Sequence, residues 1–449
     1  MFPPALIQSM VIVSLLPLAA MAAENDAKQA DEWSYSDCHI HLLNFLQQGE
    51  FDNRDNRFPA SKLGAVERQR YLTLPDGERW RRISALLRHM RETDVEYAMI
   101  CGMPVLKKWS EIDNYERPDG YLDNESHVVL ARDTDLAIGA AVLDYREKYR
   151  NDEEKLRELD RVSPFLCGID PTDLGAVDLV VERIKEFPGV WQGIGEVMSR
   201  HDDLTNLSLG ERPRSNHPAL LRVCKFAGEN YLPVSIHHNI APVSRPGVAR
   251  PPAYLDELVD LFRCCHEEPG SQRHSTVFVW CHAGASRRVH VENLPYWIGE
   301  VLSAFDDHVY IDLSWVVLDE YIREDFETWV ELIEKHPTRF MLGSDVVGGA
   351  SNIGEKLREY RPLLKKLSPK TRPLVAQDNF RNLMKRMAEL RRTANLSSPE
   401  GDGIVLPLDY AFPEYAHMRR LRDDESFVRS RLKRDGNNAA KTAAAESEK

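Results

Sequence analysis

Ser34-Tyr35-Ser36-Asp37-Cys38-His39-Ile40-His41 is a short run that ends in two histidines one residue apart. In an extended strand alternate side chains share a face, so His39 and His41 are expected to point the same way. Seven further runs of similar length follow: Val95–Met103, Ser163–Asp170, Val190–Val197, Leu232–His238, Val277–Gly284, Val309–Trp315 and Phe340–Val347. Between most of them lie stretches with apolar residues at i, i+3 and i+4, such as Asp173–Phe187, Ala219–Asn230, Tyr254–His266 and Glu320–Lys335, the spacing of amphipathic helices. Short apolar runs separated by helices build a parallel sheet from βαβ units. Eight units predict an α/β fold closed into a (β/α)8 TIM barrel, with an open doubly wound sheet as the alternative. No GxGxxG or GxxxxGK[ST] turn follows the first run, which speaks against a nucleotide-binding sheet.

The chain has 449 residues, 43% of them hydrophobic, which exceeds what one barrel needs for its core. The barrel is expected over 34–390, with insertions after strands 1 and 2. The first is Phe51–Glu78; the second spans roughly Lys107–Lys155, with a helix over Ser126–Ala137 and an extra strand near Ile138–Leu143. Loops leaving the C-terminal ends of barrel strands rim the active site, so both insertions are expected to shape a pocket. A last barrel helix is expected near Pro373–Leu390. Residues 391–449 form a C-terminal extension with a linker at Ser397–Asp402 and, beyond Asp423, a charged, Ala-rich end of disordered composition.

Ala5–Ala23 is almost free of charge and contains Ala20-Met21-Ala22, ahead of the charged stretch Glu24–Asp31. This pattern predicts a signal peptide over 1–22 and a periplasmic or secreted protein with no stable membrane insertion after cleavage. The n-region lacks Lys and Arg and Pro17 interrupts the apolar run, so an uncleaved anchor and a wrongly chosen start codon are the competing readings. A formal net charge of −13 speaks against a broad basic face for nucleic acid and leaves room for a local basic pocket, so no nucleic-acid partner is expected. The expected partner is a small-molecule substrate, with a homo-oligomer left open. The seven cysteines, Cys38, Cys101, Cys167, Cys224, Cys264, Cys265 and Cys281, include no CxxC pair and several lie in apolar runs. They read as buried thiols rather than a disulfide framework.

The chemistry lies where the runs end. Glu196 closes the fourth in Gly193-Ile194-Gly195-Glu196, His237 the fifth in Ser235-Ile236-His237-His238, His282 the sixth in Cys281-His282-Ala283-Gly284, and Asp345 the eighth in Gly343-Ser344-Asp345. Each residue alone has a bland reading: a lone strand-end histidine is usually a hydrogen-bonded rim residue, Glu196 can answer a buried arginine, and Asp345 can cap a helix. Random placement would scatter them over strand starts and helix faces. Their ordered recurrence at C-terminal strand ends, where barrels build active sites, is the signal. His238 competes with His237, since alternation turns only one of them inward.

This set resembles the amidohydrolase superfamily, in particular its amidohydrolase-related branch, over Ser34–Leu390. The resemblance implies that His39, His41, His237 and Asp345 hold a catalytic divalent metal, and that His282 binds a second ion or polarises the substrate. Gln377-Asp378-Asn379-Phe380 looks like the family's closing helix, which begins near an Asn. Many relatives carry a carboxylated lysine on the fourth strand where this chain has Glu196. The GIGE of Gly193–Glu196 is similar to the TatD-like deoxyribonuclease branch, in which a glutamate bridges two metals. One ion or two therefore stays open. Imidazole and carboxylate donors suit zinc first, with manganese, iron or nickel behind it. A metal-activated water would attack, with Asp345 as general base and proton donor and His282 stabilising the developing oxyanion.

Arg287 and Arg288, read as opening a helix after the sixth strand, and Trp315 after the seventh are candidates for substrate contact; Lys107 and Lys108 read better as solvated loop charge. His201, His217, His266, His274, His290 and His336 read as surface or helix residues without a role. The leading expectation is hydrolysis of a small lactone, amide or ester. The alternatives are a decarboxylase (lyase) of the same branch, a TatD-like phosphodiesterase, and a metal-binding protein without catalysis.

Overall fold

Phe278-Val279-Trp280 shows how the strands divide their side chains. Phe278 and Trp280 pack into the large cluster shared with the helices, whereas Val279 joins a second cluster with Met99, Phe165, Tyr310 and Met341 from other strands. Alternate residues thus face an outer helical layer and an inner strand-lined core, as a barrel requires. The computed structural model describes residues 33–43, 79–103, 134–201, 213–245, 247–266, 274–348, 350–394 and 426–435. The expected leader, the insertion at Phe51–Glu78, Lys107 and Lys108, and the linker at Ser397–Asp402 lie outside them.

Eight parallel strands pair in chain order: β1 (Tyr35–Asp37), β2 (Val95–Ile100), β3 (Val162–Leu166), β4 (Gly193–Ser199), β5 (Val234–His238), β6 (Phe278–Trp280), β7 (Val309–Asp312) and β8 (Phe340–Met341). The seam between β8 and β1 closes through their extensions. Cys38 N–H donates to the Leu342 carbonyl at 2.9 Å, and Ile40–His41 pairs in parallel with Val346–Val347. His39 and Asp345 sit on this seam, where Asp345 N–H donates to the His39 carbonyl at 2.9 Å.

The helices follow the amphipathic stretches: α1 (Trp80–Glu92), α2 (Thr134–Lys148), α3 (Glu153–Leu159), α4 (Ala176–Glu186), α5 (Pro218–Glu229), α6 (Leu255–Cys264), α7 (Leu294–Phe305) and α8 (Phe326–Lys335). Three expectations are corrected. No strand forms near Ile138–Leu143, because Ile138, Ala141, Val142 and Tyr145 bury one face of α2 at helical spacing. The single helix expected over Glu320–Lys335 breaks, since Asp325 accepts a hydrogen bond from Thr328 N–H at 3.1 Å and caps a new one. Within the end expected to be disordered, residues 427–435 are helical: Phe427 is buried, and Arg431 and Arg434 pair with Glu300 of α7.

The N-terminal ends of the strands are closed by the helix Asn379–Thr393, which presents Phe380, Leu383, Met384 and Met387 to the inner core. Asn379 Nδ2 donates to the carbonyls of Pro337 and Phe340, and the Arg391 guanidinium donates to those of Gln192 and Tyr231. All seven cysteines are buried and free. Among the described residues no helix is long and apolar enough to cross a membrane.

Candidate metal centre

The strand ends bring His39, His41, Glu196, His237, His282 and Asp345 together at the C-terminal mouth. Glu196 is the hub. Its Oε2 lies 3.1 Å from His41 Nε2 and 3.5 Å from His39 Nε2; its Oε1 lies 2.9 Å from His237 Nδ1 and 3.4 Å from His282 Nε2. Asp345 Oδ1 stands 3.5 Å from His39 Nε2 and 3.6 Å from His41 Nε2. Gly195 lets this happen. Its φ is +132°, and a Cβ there would meet the Ser235 carbonyl oxygen at 2.3 Å, so only glycine lets β4 carry Glu196 so close to β5.

The outer nitrogen of every imidazole faces a protein acceptor. His39 Nδ1 is 2.8 Å from Asp312 Oδ2, His41 Nδ1 is 2.7 Å from the Gly102 carbonyl, and His237 Nε2 is 3.2 Å from Asn239 Oδ1. His282 Nδ1 is 2.9 Å from Ser314 Oγ, whose own proton goes to Asp312 Oδ2 at 2.7 Å, so the imidazole must donate. In the neutral tautomer each inner nitrogen then carries a lone pair turned toward Glu196. Metal-binding histidines are held this way. Three sets of donors, His39–Glu196–Cys281, His39–His282–Asp345 and Glu196–His237–His282, have ligand atoms within 4.8 Å of one another. The residues fit a divalent ion.

Charge is concentrated here among buried side chains. Burial alone would raise the Glu196 carboxyl, but the imidazoles of His39, His237 and His282 hold it well below the usual carboxylate range. Burial alone would depress His39; the carboxylates of Glu196, Asp345 and Asp312 push it well above its ordinary value. His41 is raised likewise, against burial, by the Cys101 sulfur and Glu196. Glu196 and Asp312 are 1% and 0% exposed, whereas Asp345 is 15% exposed. Among these carboxylates Asp345 is the one that reaches the mouth.

His238 turns away. Its Nδ1 meets Ser199 Oγ at 3.0 Å, its Nε2 meets the Tyr254 carbonyl at 3.0 Å, and burial pushes its pKa down to about 3. His282, Trp315 and Asp345 all adopt left-handed backbone, with φ of 53°, 59° and 50°. Non-glycine residues there cost on the order of 1–3 kcal/mol each and cluster at functional sites.

Trp315 walls the centre, its ring 5.0 Å from that of His282 and 6.4 Å from that of His237. The Arg287 guanidinium sits 5.4 Å over Trp315. Arg287 and Arg288 do not open a helix; they form the turn of a Ser286–Val289 bridge. Arg287 is exposed and Arg288 half-buried. His201 corrects its reading as a surface residue: it is buried and stacks on His237 at 4.2 Å. Asp312, Ser314 and Asn239 went unselected in the sequence, although all four residues of β7, Val309–Asp312, lie within the run Val309–Trp315 and Asp312 ends the strand.

No protein-family model and no curated protein matches the chain. Solved structures similar to it include an amidohydrolase II (16% identity, covering 78% of this chain and 100% of that one, TM-score 0.40). They also include a 4-oxalomesaconate hydratase from Rhodopseudomonas palustris (13% identity, 81% and 100%, TM-score 0.42). A third is an amidohydrolase from Mycobacterium avium subsp. paratuberculosis K-10 (14% identity, 79% and 98%, TM-score 0.36).

Proposed function

We propose that the chain is a metal-dependent hydrolase of the amidohydrolase type that opens a small lactone, amide or ester. The observation that carries this reading is the set of four imidazoles, each with its outer nitrogen at a protein acceptor and its inner nitrogen turned on Glu196. His39, His41, Glu196, His237, His282 and Asp345 are the ligands. Six donors exceed the four that one zinc ion takes. Glu196 also divides them, with Oε2 toward His39 and His41 and Oε1 toward His237 and His282. Both points support more than one ion at this centre, which His39, His41, Glu196, His237, His282 and Asp345 would hold, zinc being the first choice.

Bound metal supplies Lewis-acid activation of water and polarisation of the scissile carbonyl. The protein's own residues do the rest. Asp345, partly open to the mouth, takes the proton of the attacking water at its carboxylate and delivers it to the leaving atom. His282, with its Nδ1 proton committed to Ser314, is a ligand in the neutral form and a donor to substrate oxygen only when protonated. Asp312 fixes His39, and through Ser314 it fixes His282. Trp315 walls the centre, and Arg287 above it offers a cation to a substrate carboxylate. Export rests on the leader pattern over 1–22 and is tested by N-terminal analysis of the mature protein.

The decisive experiment is a substrate panel run beside metal counting on wild type and Asp345→Asn. Metal-dependent ring opening, amide or ester cleavage that disappears in a metal-retaining Asp345→Asn supports the proposal. Undiminished turnover in that variant refutes the base assignment. CO2 release from a carboxylate replaces the hydrolase with a decarboxylase, and phosphodiester cleavage replaces it with the TatD-like reading.

A further inference from the structure

At the opposite end of the barrel, Asp307 and His308 lead into β7, and His266 follows α6. Asp307 joins the two histidines: its Oδ1 is 2.6 Å from His308 Nδ1 and its Oδ2 is 3.1 Å from His266 Nε2. The two rings lie 4.7 Å apart at 31°. One donor atom from each residue falls within 4.8 Å of the other two. His308 is held in place: its ring packs against Phe305 at 5.6 Å and Phe278 at 6.5 Å, and its carbonyl accepts from Phe278 N–H at 2.8 Å. His266 and Asp307 are 32% and 61% exposed, so an ion has a path from solvent.

We propose that His266, Asp307 and His308 form a second, separate binding site for a divalent transition ion. Two imidazoles and one carboxylate select zinc, nickel or copper over magnesium and calcium, which prefer oxygen donors. Donors at 2.0–2.2 Å around a tetrahedral ion stand about 3.4 Å apart. The present 2.6 and 3.1 Å contacts, made to different oxygens of Asp307, open by about 0.8 and 0.3 Å to reach that spacing, and donor atoms already within 4.8 Å of one another draw in around the ion. Water completes the coordination on the exposed side. The site has a structural part to play, because it ties the end of α6 to the entry of β7. That strand's other end, four residues beyond His308, carries Asp312, the partner of His39. The inference does not depend on the hydrolase reading.

The test uses the full chain equilibrated with buffered free Zn2+, with zinc counted per chain in wild type, His266→Ala and Asp307→Asn. Wild type is expected to hold one zinc more than either variant, and crystals of the zinc-loaded protein should show an anomalous peak between His266, Asp307 and His308. Asp307→Asn is isosteric and carries the comparison if His266→Ala does not fold. Equal stoichiometry in all three proteins, or no anomalous peak at the triad, overturns the site. The six residues of the mouth are untouched in both variants, and the position of the lost anomalous peak separates zinc lost at the triad from zinc lost at the mouth.

Discussion

The two ends of the barrel bury their residues by opposite rules. At the mouth, four imidazoles and three carboxylates from the ends of β1, β4, β5, β6, β7 and β8 share a largely buried space, and His282, Trp315 and Asp345 hold left-handed backbone. At the floor, Phe380, Leu383, Met384 and Met387 fill the inner core from one helix. Left-handed residues occur there too, but Asp94 and Tyr231 directly follow the helix caps Thr93 and Asn230, where a chain ordinarily reverses. Strain at the floor belongs to turns; at the mouth it includes His282 and Asp345, proposed to do chemistry, and their neighbour Ala283. A scaffold that is stabilised at one end can hold unfavourable charge at the other.

The sharpest way to break this contrast is to attack each end with one substitution. Asp345→Asn is expected to cut turnover by about 10²–10⁴-fold, the usual range for a lost general base, with metal retained. Glu196→Gln is expected to strip metal altogether. In the metal-free state it should also cost about 3–5 kcal/mol, since a buried pair loses one partner. Phe380→Ala at the floor should cost a similar amount, about 3–5 kcal/mol, through the cavity it leaves. Yet metal content and turnover per folded molecule should stay at the wild-type level. Elemental analysis beside denaturant melts decides the matter: metal loss in Phe380→Ala would show that the two ends are not separable.

Much of this contrast was legible in the sequence, for a physical reason. A barrel places reactive residues at C-terminal strand ends, so Glu196, His237 and Asp345 announce themselves by closing apolar runs. What periodicity could not show is which way a side chain leaves the strand. His237 and His238 are neighbours in an equally apolar run, and only the Ser199 and Tyr254 contacts turn His238 outward. His201 was misread because nothing local marks a residue two positions past β4 as buried against His237. Most acceptors behind the imidazoles lie far off in sequence, although Asn239 is two residues from His237; Asp312 is separated from His39 by 273 residues. α2 was misread at Ile138–Leu143 because an apolar segment that buries most of one helix mimics a strand over six residues.

Asp312 tests whether the mouth works as a network rather than a list of ligands. Its Oδ2 accepts from both His39 Nδ1 and Ser314 Oγ, and its Oδ1 accepts from Ser314 N–H at 2.8 Å. Asp312→Asn keeps the shape but removes the charge that orients His39. The expected loss is about 10–100-fold in metal affinity, the usual effect of removing such a partner. Competition against a chelator of known affinity measures it. An unchanged affinity would reduce Asp312 to a packing residue and weaken the contrast with the floor.

The gentlest probe is pH, because it changes no atoms but protons. In the metal-free protein His39 and His41 hold their protons well above the ordinary imidazole value, and a ligand nitrogen must give its proton up. Metal affinity should therefore rise with pH, by about tenfold per unit for each proton displaced. Stability carries the same sign. The raised imidazoles stabilise the metal-free fold fully below about pH 6.5, and that contribution is lost as pH rises through their elevated values. The lowered Glu196 stabilises it above the ordinary carboxylate value and is lost as pH falls through its depressed one. The metal-free protein is thus favoured in mild acid and the metal-loaded one above neutrality. Thermal melts with and without metal should diverge as pH is raised, and in His266→Ala the part of that divergence left is the mouth's own. Phe380→Ala, lacking any titrating group, should lower both curves in parallel, and a pH-dependent gap in that variant larger than in wild type would mean that the floor, too, feels the charge at the mouth.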